Sequence, residues 1–171
     1  MLSKTAAAGN DGAVMFLLEP MDEATFVAWR ATTKREYAAE KVRAGNYPES
    51  GADDLAEAEF AKLLPNGRLT PGHEIRSMVI QDGEKVGYAW FTIENRDVGR
   101  VVFIYDIAVD AAHRRRGYAR LALAEIDTYA RENGCLGVML HVFGDNEAAR
   151  ELYRSMGYLE TNVIMLKRVD G

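Results

Sequence analysis

Three consecutive arginines, Arg114, Arg115 and Arg116, precede a glycine in the segment Val109-Asp-Ala-Ala-His-Arg114-Arg115-Arg116-Gly117-Tyr118-Ala119. The hydrophobic pattern predicts a strand before this segment and a helix after it. First-turn N–H groups of a helix lack acceptors within the helix, and the helix dipole makes that end attractive to anions. Gly117 lets a ligand approach the backbone, Ala119 stays small and the arginines add charge, so the chemistry served is the holding of a phosphate or pyrophosphate. A solvated basic turn is the bland alternative. The segment has neither the Gly-Lys-Ser/Thr of a Walker loop nor the GxGxxG of a dinucleotide fingerprint.

Other residue types suit proton transfer. Asn146 and Tyr153 are seven apart, two helical turns, and share one face of a predicted helix. A tyrosine hydroxyl, with a reference pKa of about 10, is protonated at neutral pH and can donate. Asn146 also suits a helix N-cap, and Tyr153 a core aromatic with a satisfied hydroxyl. His141 shares a strand face with Met139 and Phe143, and histidine as a residue type suits proton acceptance, directly or through water. Asp106, on the strand before the basic loop, competes with it as a proton acceptor, and Glu94 comes third; each also has a structural reading. His73, His113 and His141 show no metal-ligand spacing, so no metal is inferred. Cys135 sits in a turn after a helix without an evident activating partner, which argues against a covalent intermediate.

Positioning these residues requires a layered fold. Val14 to Leu18, closed by Pro20, predicts a first strand, and the first dozen residues read as a frayed terminus. Phe26, Trp29, Thr33 and Tyr37 recur at helical steps from Asp22 until Gly45. A second helix begins at Asp53 or Asp54, places Ala56, Phe60, Leu63 and Leu64 on one face, and stops at Pro65-Asn66-Gly67. Residues 73–81 and 84–94 predict strands joined by a tight Asp82-Gly83 turn. A long strand spans 101–109, a helix 117–132, a strand 137–143, a helix 146–156 and a final strand 159–168. The order β-α-α-β-β-β-α-β-α-β implies one α/β (α+β) domain over residues 13–171, a mixed sheet flanked by helices, with a parallel crossover from 101 through 143.

Arg114-x-x-Gly117-x-Ala119 after Tyr-Asp-Ile-Ala-Val109 resembles the Arg/Gln-x-x-Gly-x-Gly/Ala motif of the GCN5-related N-acetyltransferases (GNAT). Residues 140–158, with Asn146, Leu152-Tyr153, Gly157 and Tyr158, resemble that family's next block. The two motifs cover residues 101–160. The resemblance implies the GNAT fold and transfer of the acetyl group of acetyl-CoA to a primary amine by direct attack on the thioester. It assigns the pyrophosphate to the loop of Arg114, Arg115, Arg116, Gly117, Tyr118, Ala119 and Arg120. Backbone groups of Ile107, Ala108 and Val109 would hold the pantetheine and acetyl carbonyl, typically where the strand splays from its neighbour. Asn146 and Ala149 would also contact the donor, and Tyr153 would protonate the departing thiolate. Some relatives carry a glutamate base at the position matched by His141. Acceptor selection would fall to the first two helices and the following loop, with Trp29, Tyr37 and Tyr47 as candidate lining. A coenzyme-A-binding sensor without turnover is the rival.

The whole chain agrees with this. Its 171 residues suit one domain, and 48% hydrophobic with 27% charged residues excludes disordered and coiled-coil classes. A net charge of -5 disfavours a nucleic-acid binder, although Arg114, Arg115, Arg116 and Arg120 concentrate positive charge within seven residues. The expected partner is therefore a polyanionic donor at one spot, together with a small-molecule or peptide amine. One cysteine and no apolar run of spanning length predict a cytoplasmic protein that binds no membrane, as a monomer or homodimer.

Overall fold

The computed structural model describes Ala6, Ala7, residues 14–165, Lys167 and Val169. Its elements in chain order are β1 (Ala6–Ala7), β2 (Val14–Pro20), α1 (Glu23–Arg43), α2 (Ala52–Leu63), β3 (His73–Ile80), β4 (Lys85–Arg96), β5 (Gly99–Val109), α3 (Tyr118–Glu132), β6 (Gly137–Leu140) and α4 (Glu147–Ser155). The strands form one sheet in the order β1-β2-β3-β4-β5-β6, antiparallel except for the parallel β5–β6 pair across α3. The chain divides into two compact units, one up to His141 and one from Val142, and each is described by itself.

Local chemistry accounts for the elements of the first unit. Asp22 caps α1 by accepting from the Thr25 N–H at 2.9 Å, and its carboxylate also takes Lys85 Nζ. Those bonds, Lys85 first, hold its carboxyl well below the usual carboxylate range. The β3–β4 turn places both Asp82 and Gly83 at positive φ, 72° and 80°, a conformation that these two residue types tolerate. Consecutive β4 residues show how the layers lie. Trp90 packs on Trp29 and Phe60 of α1 and α2, whereas Phe91 packs edge-on against Tyr129 of α3. Strand side chains alternate, so α1 and α2 cover one face of the sheet and α3 the other. Met21, Phe26, Trp29, Phe60, Leu64, Ile75 and Trp90 form the buried cluster of the first face. No helix among the described residues is long and apolar enough to cross a membrane.

Three expectations are corrected. Ala6–Ala7, placed in a frayed terminus, pairs antiparallel with Val14 and Met15; the other residues of that terminus lie outside the described ones. The strand expected over 137–143 ends at Leu140, because β5, its one ladder partner among the described residues, carries the parallel pairing no further than Ile104. His141 therefore follows the strand, exposed, rather than sharing a strand face with Met139 and Phe143. The strand expected over 159–168 is absent among its described residues, 159–165 and 167. Leu159, Val163, Ile164 and Met165 stand exposed, and three consecutive apolar residues do not supply the period-2 pattern that favours one face. The described elements thus begin with an extra strand and end on a helix.

Candidate active site

The site in the first unit is built where β5 outruns β6. Parallel pairing runs from Val101–Gly137 to Ile104–Leu140, while β5 continues to Val109. Beyond Ile104 one edge of β5 still pairs with β4, through Ala89–Ile107, Tyr88–Ala108 and Gly87–Val109. The opposite edge has no strand partner among the described residues, which leaves backbone donors and acceptors available to an extended ligand. Ile107, Ala108 and Val109 lie on this stretch of β5.

A bulge at the same point re-aims side chains. Trp90 pairs with Asp106 but Phe91 with Ile104, so Tyr105 is the extra residue. Tyr105 stacks on Trp90, ring centroids 4.7 Å apart, and donates its hydroxyl to Glu94 at 2.8 Å. Asp106 accepts a hydrogen bond from Tyr88, which also lies on the α1 face against Trp29. Two successive residues thus reach one face. Thr33 donates to the Tyr88 hydroxyl at 3.4 Å, giving a chain Thr33–Tyr88–Asp106. Burial pushes the Asp106 carboxyl up to about 6, and the fields of Glu40 and Glu36 raise it, against hydrogen bonds from Tyr88 and the Ile107 N–H. Burial also pushes the Tyr88 hydroxyl up, so Tyr88 remains a donor at neutral pH.

A cavity of about 380 Å³ lies between α1 and the sheet; Tyr88, the donor to Asp106, lines it, whereas Asp106 itself does not. Trp29, Thr33 and Glu36 line it from the helix, and Ser77, Tyr88 and Ala108 from the strands. Gly87 keeps its floor closed. A Cβ there would stand 2.3 Å from the Ala108 carbonyl oxygen and 3.0 Å from Val109 Cα. Of the suggested acceptor lining, Trp29 belongs to this cavity, whereas Tyr37 and Tyr47 pack edge-on with each other beside Ala38, Ala52 and Ala56. Glu94 is held by Tyr105 and Arg96 and does not line the cavity.

The basic loop leads from β5 into α3. The cap position of α3 is Gly117, at φ 85°, which leaves the first-turn amides of Tyr118, Ala119 and Arg120 without a side-chain cap. A Cβ on Gly117 would meet nothing within 4 Å, so its surroundings are open. Arg115 adopts φ 64°, Arg114 donates Nε to the Val109 carbonyl at 3.1 Å, and Arg114, Arg115, Arg116 and Arg120 are exposed. Open space, uncapped amides and exposed guanidinium groups fit a pyrophosphate. Tyr118 instead turns its ring toward Phe16, centroids 6.3 Å apart.

In the second unit Asn146 caps α4, accepting from the Ala149 N–H at 3.2 Å. Asn146→Ala should therefore lower thermal stability by about 1 kcal/mol, checked by denaturant titration followed by helix circular dichroism. Tyr153, half-buried on α4, packs against Tyr158 with ring centroids 5.5 Å apart.

Sequence reasoning missed Glu36, Glu40, Ser77, Gly87 and Tyr88. Two signals were readable: a serine on the buried face of β3, and a glycine inside the apolar strand β4.

Residues 33–158 match the acetyltransferase (GNAT) family. The uncharacterized N-acetyltransferase YycN of Bacillus subtilis (strain 168) is 37% identical over 153 residues, covering 90% of this chain and 98% of that protein. The crystal structure of YycN superposes with a TM-score of 0.84 at 36% identity, covering 92% of this chain and all of that one. The aminoglycoside N-acetyltransferase AAC(6')-Iy, solved with CoA, shares the fold at a TM-score of 0.59 and 21% identity, covering 93% and 97% of the two chains.

Proposed function

This chain belongs to the GNAT family of acetyltransferases, and from that premise we propose that it acetylates a primary amine, with Asp106 as the general base. Acetyl-CoA is the donor, and it supplies an activated acyl thioester. The observation that carries the proposal is a carboxyl hydrogen-bonded by the cavity-lining Tyr88, on the strand whose unpaired edge beyond Ile104 suits the donor, and burial raises that carboxyl toward neutrality.

Each residue then has a task. The uncapped amides of Tyr118, Ala119 and Arg120, with the neighbouring arginines, hold the donor's pyrophosphate. Backbone groups of Ile107 to Val109 orient its arm and polarise the thioester carbonyl, so that negative charge developing on oxygen meets fixed dipoles. Asp106, directly or through a water, takes a proton from the ammonium of the acceptor. The freed lone pair attacks the carbonyl carbon and the C–N bond forms; the adduct's nitrogen then sheds its second proton to water, and the C–S bond breaks as the carbonyl re-forms. Tyr153 returns a proton to the thiolate, an assignment that rests on its motif and the chemistry of its hydroxyl. Asn146 and Ala149 contribute to donor binding on the same ground. His141, off the strand and exposed, is the weaker candidate for the base. Direct attack fits the place of Cys135, which lies in the turn before β6 at the opposite end of the β5 ladder from Asp106.

An amine panel scored by thiol release from acetyl-CoA tests the activity, and turnover of at least one primary amine is expected. Tyr153→Phe should lower kcat by about 10²-fold or more while changing acetyl-CoA affinity little. Wild-type turnover by that variant removes Tyr153 from the acid role.

A further inference from the structure

The cavity between α1 and the sheet contains polar groups that the acetyl-transfer chemistry does not use. Trp29 Nε1 and Ser77 Oγ are buried without a hydrogen-bond partner, and both residues line the cavity. Trp29 is 6% exposed and Ser77 2%. Buried polar atoms are ordinarily satisfied, so two orphans beside one cavity point to a ligand that completes them. They are close to the catalytic end. Ser77 is the cross-strand partner of Tyr88, the ring of Trp29 lies edge-on to Tyr88 at 5.9 Å, and Tyr88 donates to Asp106.

The chemistry of the two atoms selects the ligand. An indole N–H can only donate, so its partner is an accepting oxygen or nitrogen; a serine hydroxyl both donates and accepts. That oxygen must be neutral. Trp29 sits among Met21, Phe26, Phe60, Leu64, Ile75 and Trp90, where an unpaired carboxylate would lose its hydration without compensation. The two cations of the lining are engaged elsewhere: Lys85 by Asp22 and Thr25, and Arg114 through Nε by the Val109 carbonyl. At the other end Glu36 lines the cavity, and the fields of Glu36 and Glu40 reach Asp106, an environment that favours an incoming ammonium.

We propose that this cavity takes a small primary amine carrying a neutral hydrogen-bond-accepting oxygen a few bonds from its nitrogen, as in an amino alcohol or an α-amino amide. The ammonium faces Glu36 beside Tyr88, the donor to Asp106, and the oxygen accepts from Trp29 Nε1 and Ser77 Oγ. A volume of about 380 Å³ suits a molecule of that size. The inference rests on the amine-acetylation reading of Asp106, and it narrows the acceptor from any amine to this class.

The test compares glycinamide with propylamine, which lacks the oxygen, and with glycine, whose oxygen is charged. Expected is a kcat/KM at least about tenfold higher for glycinamide than for either. Ser77→Ala, a change of one oxygen atom, should reduce the glycinamide advantage over propylamine about fivefold or more and leave acetyl-CoA affinity unchanged. A second readout needs no turnover. Trp29 and Trp90 are the only tryptophans, so the ¹⁵N-labelled CoA complex has two indole N–H resonances to follow. Glycinamide should shift that of Trp29 and leave that of Trp90, which already donates to His73 Nδ1 at 2.9 Å. Thiol release with equal kcat/KM for glycinamide and propylamine, or a Trp29 resonance indifferent to glycinamide, overturns the oxygen recognition and leaves the acetylation reading standing. Absence of thiol release with every amine overturns that reading instead.

Discussion

Asp106→Asn should lower acetyl transfer at pH 7.5 by about 10²–10⁴-fold, the usual contribution of a positioned general base, and at the same time make the protein more stable. The first effect follows from the proposed role: a carboxylate one hydrogen bond from the cavity-lining Tyr88 accepts the proton, and an amide cannot take its place. In the wild type, kcat/KM should rise with pH through about 6 as Asp106 loses its proton, and the variant should lack that limb. The second effect follows from linkage. The folded-state pKa lies above the ordinary value of 3.8, so between about pH 4 and 6 the folded state holds more proton than the unfolded one. Stability therefore falls as pH rises through that window, and above it the buried charge remains a penalty. Asparagine carries no charge, so at pH 8 the variant should gain about 1–3 kcal/mol, an order-of-magnitude figure from a shift of about two units. Parallel pH–rate profiles and thermal melts at pH 5 and pH 8 check both signs. A variant that retains the limb near pH 6 would assign the base elsewhere, and one destabilised equally at both pH values would mean that the hydrogen bonds to Asp106 outweigh its burial.

Gly87→Ala should damage both stability and donor binding. The added methyl meets the Ala108 carbonyl oxygen at 2.3 Å, Val109 Cα at 3.0 Å and Met78 Sδ at 3.1 Å. The thioether can move aside; the backbone atoms can move only by opening the β4–β5 ladder. Overpacking of this kind costs about 1–3 kcal/mol, which lowers Tm by roughly 2–4 °C per kcal/mol in a chain of this size. Displacing Ala108 and Val109 also disturbs the backbone proposed to hold the donor, so acetyl-CoA should bind about tenfold more weakly, equivalent to about 1.4 kcal/mol. Gly137→Ala is the matched control, since a Cβ in that strand meets nothing within 4 Å. Melts and acetyl-CoA titrations of both variants decide the matter. Equal behaviour of the two would mean that the ladder yields without cost.

Much of this fold was legible because the relevant signals are local. The cap at Asp22, the Asp82-Gly83 turn and the 3.6-residue period of Phe26, Trp29 and Thr33 act within a few residues of themselves. The same holds for the basic loop, which carries its glycine at the start of a helix. Two boundaries failed because strand ends are set by partners. β6 stops at Leu140 although Val142 and Phe143 continue an apolar run, since its ladder with β5 ends at Ile104. Residues 159–165 are as apolar as a strand, yet among the described residues they have no ladder to join.

The site divides in the same way. By itself the sequence determined what is encoded in short spacings: a basic turn at Arg114 to Ala119 with a glycine at the start of a helix, a capping asparagine at 146, and the type and order of most elements. Only the tertiary structure decided which carboxylate is tuned. A regular β5 would turn Tyr105 and Asp106 to opposite faces; the extra residue at Tyr105 brings both to the α1 face. There burial, helped by the fields of Glu40 and Glu36, pushes its carboxyl up to about 6 against the hydrogen bond from Tyr88, and none of these residues is near Asp106 in sequence. Burial and field strength are sums over neighbours in space, and a chain read in one dimension carries no list of those neighbours.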